Sequence, residues 1–213
     1  MLVAMDVTQP PTQPPTQTPD VVVLRAEDPR CPDLESSGYA LVGESWGARL
    51  RLADPPDLTL ATAAVDRAVA LGIDVRELGA DAADAVRVLE EANHPDYPFT
   101  PATAHVSRNL KRTRALWADG RRVFGALDGT VLVAVTAIER AGQHGETKFT
   151  SVLAGYRGRG IGSAVKAASI VALAANGVRT FGTGGAGVNE ASLGANRALG
   201  YVIEEHWRSY RRD

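Results

Sequence analysis

Along this chain the apolar positions recur at two periods, and the switches between them mark out the elements. Val21-Val22-Val23-Leu24 is an unbroken apolar run and predicts a buried strand. Ala48-Arg49-Leu50-Arg51-Leu52 alternates and predicts an exposed one. Leu58 to Leu71 has helical spacing and stops at Gly72, as a linking helix would. Ile73 to Leu78 alternates again. Asp81 to Asn93 predicts a helix with Ala85, Val88, Leu89 and Ala92 on its apolar face. A proline-rich loop, His94 to Pro101, precedes a polar helix near Ala102–Leu116. Strands follow near Arg121–Leu127, Thr130–Glu139 and Thr147–Ala154. An Ala-rich helix, Ser163 to Asn176, closes on Asn176-Gly177, a helix C-terminal signal. Val178–Phe181, a short helix flanked by Asn189 and Asn196, and a strand pair at Val202–Glu205 and Trp207–Arg211 complete the pattern.

Composition narrows this picture only a little. At 213 residues and 45% hydrophobic, the chain can bury a sizeable core. A net charge of −2 and a pI near 6.1 argue against a dedicated nucleic-acid binder. Cys31 is alone, so no internal disulfide is expected and a reducing compartment fits. No run of 18 apolar residues is present, and the first six residues lack the features of a signal peptide. A cytoplasmic protein with no membrane partner is the expectation. Residues 7 to 19 form a Pro/Thr/Gln tail that cannot build a core.

The chemistry concentrates at Tyr156-Arg157-Gly158-Arg159-Gly160-Ile161-Gly162, between an apolar strand and the Ala-rich helix. Glycines let a backbone approach a ligand closely, and the first turn of a helix presents unpaired N–H groups. With the helix dipole and two arginines, this place suits an anion such as a phosphate. It is not a Walker loop, because Ile161-Gly162-Ser163 lacks the lysine. A dinucleotide fingerprint would need glycine at 163 and an acid some 20 residues on, and neither is present.

The segment does fit Arg-x-x-Gly-x-Gly, with Val152 five residues before Arg157. It resembles the pyrophosphate loop of the GCN5-related N-acetyltransferases, the GNAT superfamily. Asn189, Asn196 and Leu199-Gly200-Tyr201 resemble that family's ending, at family-like spacing. The resemblance implies an α/β (α+β) fold, with a mixed, mostly antiparallel central sheet flanked by helices, over residues 73 to 213. It implies acetyl-CoA as co-substrate, a small-molecule or peptide amine as acceptor, and direct transfer in a ternary complex. Monomer and homodimer both stay open.

A weak internal repeat adds to this. Gly38-Tyr39 and Gly200-Tyr201 each lead two apolar residues, a glutamate and then a tryptophan, Trp46 or Trp207. Residues 20 to 72 thus resemble the last part of a second, truncated module of a tandem-type bacterial GNAT. This N-terminal, β-rich extension has no glycine loop and is expected to extend or shield the sheet rather than bind coenzyme.

Within the resemblance, Arg157, Gly158, Arg159, Gly160, Ile161, Gly162 and Ser163 anchor the coenzyme. Backbone groups at Val152 pair with its pantetheine arm, and Asn189 and Asn196 contact it. Many family members place a tyrosine near the sulfur at the position of Asn196, which cannot donate a proton outright. We therefore expect Asn196 to be a coenzyme contact that assists the sulfur. Glu139, ending one strand, and Glu146, beginning the next, could each act as base, with Glu139 the first choice. Asp96 and His94 lie on the loop expected over the acceptor cleft.

Gly43-Glu44-Ser45-Trp46-Gly47 matches a hydrolase nucleophile elbow, but a strand rather than a helix follows it. The basic run Arg108, Lys111, Arg112, Arg114 reads as a solvated helix face. The histidines and Cys31 show no metal-ligand spacing. The rival to an enzyme is a protein that senses acyl-CoA without turnover.

Overall fold

The computed structural model describes residues 21–96 and 109–212. The N-terminal tail and most of the proline-rich loop, with Arg108 and the start of the helix expected after it, lie outside them. One eight-stranded sheet organises everything else. Its strands are β1 (Val21–Arg25), β2 (Tyr39–Arg51), β3 (Asp74–Leu78), β4 (Arg121–Asp128), β5 (Val131–Ala141), β6 (His144–Val152), β7 (Thr180–Ala186) and β8 (Val202–Arg212). The helices are α1 (Cys31–Ser36), α2 (Thr59–Ala70), α3 (Ala83–Asn93), α4 (Leu110–Arg114), α5 (Ile161–Ala174) and α6 (Glu190–Ala198).

The spatial order is β1-β8-β2-β7-β6-β5-β4-β3, antiparallel except for the β6–β7 pair. The mixed sheet flanked by helices is the fold class expected. α2 and α5 pack on one face through Leu50, Ala64, Ile170, Leu173 and Phe181. α3 covers the other face, where Val86 and Leu89 meet Val135, Ala137 and Phe149.

Three expectations need correction. The exposed strand placed at 48–52 is instead the buried half of β2. Ala48, Arg49 and Leu50 are all buried, because β2 runs between β7 and β8 beneath α2. The expected terminal strand pair is one continuous strand, β8, in which His206 pairs with Trp46 without a break and a register shift lies opposite Gly47/Ala48, at Glu204. A returning strand has no vacancy, since β2 occupies the place beside β7. The apolar face of α3 is turned by about one residue from the expected one. Val86, Leu89 and Asn93 face inward while Val88 is 55% exposed.

β2 and β8, the two strands that follow Gly-Tyr, lie antiparallel against each other, and β1 and β7 flank them. Gly38 and Gly200 have φ of +83° and +87°, a left-handed conformation that glycine adopts without strain. β8 is paired by β1 and β2 alone, so its backbone ladder depends on the N-terminal segment.

Candidate active site

β6 and β7 run parallel but pair over only three positions, ending at Glu146↔Gly182. Beyond that point β6 stays with β5 and β7 stays with β2. An opening therefore forms between Thr147–Val152 and Thr183–Ala186, and the glycine loop sits at the end of its β6 wall.

That loop has the backbone its sequence suggests. Gly158 and Gly160 have φ of +73° and +78°, and no atom lies within 4 Å of where their Cβ would be. The first intrahelical bond of α5 runs from Ala164 N–H to Gly160 C=O. The N–H groups of Ile161, Gly162 and Ser163 therefore point out of the helix mouth. A Cβ on Gly162 would lie 3.1 Å from Val152 Cγ2, so glycine there lets the mouth close onto β6. Arg159 lies over the Tyr156 ring at 5.2 Å.

Arg157 does something else as well. Its Nε donates to Val152 C=O (3.0 Å), and its two terminal nitrogens donate to Asp96 (2.9 Å) and Asn93 Oδ1 (3.0 Å). Asn93 in turn donates to Ser151 Oγ. The guanidinium thus ties the loop, β6 and the C-terminal end of α3 together. This also explains the rotation of α3, because Asn93 must face inward to join the tie. Asp96, expected over the acceptor cleft, is held in this ion pair.

The carboxylates on the α3 face differ in their surroundings. Glu139 is paired with Arg121 at 3.0 Å and Lys148 at 3.5 Å. The hydrogen bond from Arg121, helped by Lys148, holds its carboxyl below the usual range. Glu146 stands at the point where β6 and β7 part. It meets His144 Nε2 at 3.0 Å and Arg49 of β2 at 3.4 Å. A Cβ on Gly182 would overlap the Glu146 carboxylate, so glycine there makes its room.

Asn189 is the N-cap of α6, accepting from Ser192 N–H at 3.0 Å. Asn196, expected to flank that helix, lies inside it and is 2% exposed. Its Nδ2 donates to Ser192 C=O, and its Oδ1 accepts from Lys166 Nζ. Both ends of the amide are thus engaged by the protein. Lys166, Thr183 and Arg49 were not singled out by sequence reasoning. The signal for Lys166 was present: it is the sole charged residue of α5. Ser45 is 6% exposed within β2, not on a strand-to-helix turn, which removes the hydrolase reading. Among the described residues no cluster could hold a metal, and no helix is long and apolar enough to cross a membrane.

A parted parallel strand pair beside a glycine-capped helix mouth decides the architecture. The chain has the fold of the GCN5-related N-acetyltransferases. Solved structures similar to it include a GCN5-related N-acetyltransferase from Sphaerobacter thermophilus, at 17% identity and TM-score 0.65 over 90% of this chain and 59% of that one. A tandem GNAT protein from the clavulanic acid biosynthesis pathway aligns at 19% identity and TM-score 0.58, over 89% and 62%. The ribosomal-protein-S18-alanine N-acetyltransferase of Escherichia coli aligns at 14% and 0.53, over 66% and 92%. The chain thus spans about three-fifths of the length of the first two. No family model matches the sequence, and no curated protein matches it significantly.

Proposed function

We propose that the protein is an acetyl-CoA-dependent N-acetyltransferase that passes the acetyl group directly to a primary amine in a ternary complex. The observation that carries this reading is the glycine-lined mouth of α5 opening beside the parted β6 and β7. The coenzyme's pyrophosphate fits the N–H groups from Gly158 to Ser163, and Arg159 adds a positive charge. Its pantetheine arm fits the opening, whose strand edges leave backbone groups free to pair. Arg157 serves chiefly to hold the loop in shape.

Glu146, rather than Glu139, is the better placed base. It borders the opening and meets one arginine, Arg49, at 3.4 Å, whereas Glu139 is bound to two cations, and the hydrogen bond from Arg121 lowers its basicity. The base takes the amine's proton, directly or through water, as nitrogen attacks the thioester carbon. Asn189 and Asn196 are positioning residues in this reading. The extension over residues 20–72 completes the sheet, and its order of strand, helix, Gly-Tyr and strand supports its origin as a truncated module.

Release of free thiol from acetyl-CoA, followed against a panel of amines and peptides, tests the proposal. Release that depends on an amine supports it. Coenzyme binding with no release against any acceptor would favour an acyl-CoA sensor.

A further inference from the structure

Lys166 is an ionisable group that the reading above leaves without a task. It lies 5% exposed on α5, a little more than one turn beyond the glycine mouth. Its Nζ donates to Thr183 Oγ1 at 2.9 Å and to Asn196 Oδ1, and it stands 5.3 Å from the centre of the Tyr201 ring. An ammonium has three N–H donors. Among the described residues no acceptor meets the third.

Its position relative to the opening matters most. Glu146 and Gly182 are cross-strand neighbours on the α3 face, at the last position where β6 and β7 pair. Side chains alternate along a strand, so Thr183, the next residue of β7, faces α5. Lys166 is bonded to that threonine. Glu146 and Lys166 therefore flank the start of the same opening from opposite sides of the sheet. Burying an unpaired cation is costly, and an apolar side chain would satisfy the helix packing here. Burial pushes the Lys166 ammonium down to about 7, partly opposed by the charge of Glu146. It can exchange a proton near neutrality.

We propose that Lys166 is the proton donor to the departing thiolate, positioned by Asn196 and Thr183. This rests on the acetyltransferase reading. In the step, the tetrahedral adduct collapses and its C–S bond breaks, with the electron pair leaving on sulfur. Sulfur takes a proton from the Lys166 ammonium, which becomes a neutral amine and is recharged from solvent. The acceptor nitrogen has meanwhile lost one proton to Glu146, which returns it to solvent, so protons balance over the cycle.

Two variants, Lys166→Met and Lys166→Arg, test the donor role in the full chain with two acyl donors. Acetyl-CoA needs its thiolate protonated, whereas an acetyl thioester of an acidic aromatic thiol does not. We expect Lys166→Met to bind acetyl-CoA within about threefold of wild type by calorimetry. Its turnover with acetyl-CoA should fall on the order of 10²-fold, within the range of general acid catalysis. With the aromatic thioester the loss should shrink to within about threefold. Lys166→Arg, unable to release its proton near neutrality, should show the same pattern. Equal losses with both donors, or no loss with either, would overturn the proposal while leaving the enzyme reading intact. No turnover by the wild type with any acceptor would instead remove the reading on which it rests.

Discussion

Glu139 and Glu146 face each other across β5 and β6, yet only one stands where the sheet opens. Glu146→Gln should lower amine-dependent turnover about 10²- to 10⁴-fold, the range of a lost general base. Glu139→Gln should change it less than about tenfold. Steady-state thiol release by the two variants decides this, and a larger loss at Glu139 would reverse the assignment. The residues named in advance were those in or near a motif, Arg157 to Ser163 with Val152, Asn189 and Asn196, together with Glu139 at a strand end. Arg49, Thr183 and Lys166 were not, because each meets its partner only far along the chain: Glu146 for Arg49, and α5 and α6 for the other two. Nothing local in the sequence marks such meetings.

Elements with a clean period or a terminal signal were legible, and those shaped by one tertiary contact were not. α2 and α5 match their predicted spans closely, and Gly177, with φ of +85°, ends α5 as its sequence suggests. α3 has the right length but the wrong face, since Asn93 is drawn inward by Arg157 and Ser151. For α6, Asn189 caps a nine-residue helix through Ser192 N–H. Replacing it with alanine should cost about 1 kcal/mol. A urea midpoint that does not move, measured with an unchanged slope, would contradict the cap. Arg157→Lys should loosen the tie between loop and α3, because one ammonium cannot reach three acceptors in a fixed planar fork. Faster amide exchange around Asn93 and Ser151 is the expected sign, and wild-type protection there would count against it.

At the scale of the whole molecule, the expected division at residue 72 crosses a single sheet. The sequence repeat pointed to a second partial module, but periodicity cannot say which strand pairs with which. Since β8 has only β1 and β2 as neighbours, a fragment of residues 73–213 would leave β8 unpaired and one edge of β7 bare. We expect that fragment not to unfold cooperatively. A sharp thermal transition near that of the full chain would show the extension to be dispensable.

Global stability should also report the buried amine. The folded state holds Lys166 down at about 7 against an ordinary 10.5. Between those values the unfolded chain binds more protons, so stability rises with pH across that window, by at most about 1.4 kcal/mol per unit from this group. Lys166→Met should lose that rise, and an unchanged slope would contradict the burial.

The catalytic readings depend on the mouth of α5 holding a pyrophosphate. Calorimetric titration of the full chain with acetyl-CoA, beside Gly160→Trp, tests that directly. The bulky side chain would fill the open space at a residue whose φ of +78° already disfavours it. Micromolar binding of one coenzyme per chain, abolished in the variant, is the predicted result. A wild type that takes up no coenzyme, or a variant that binds it equally well, would contradict the account.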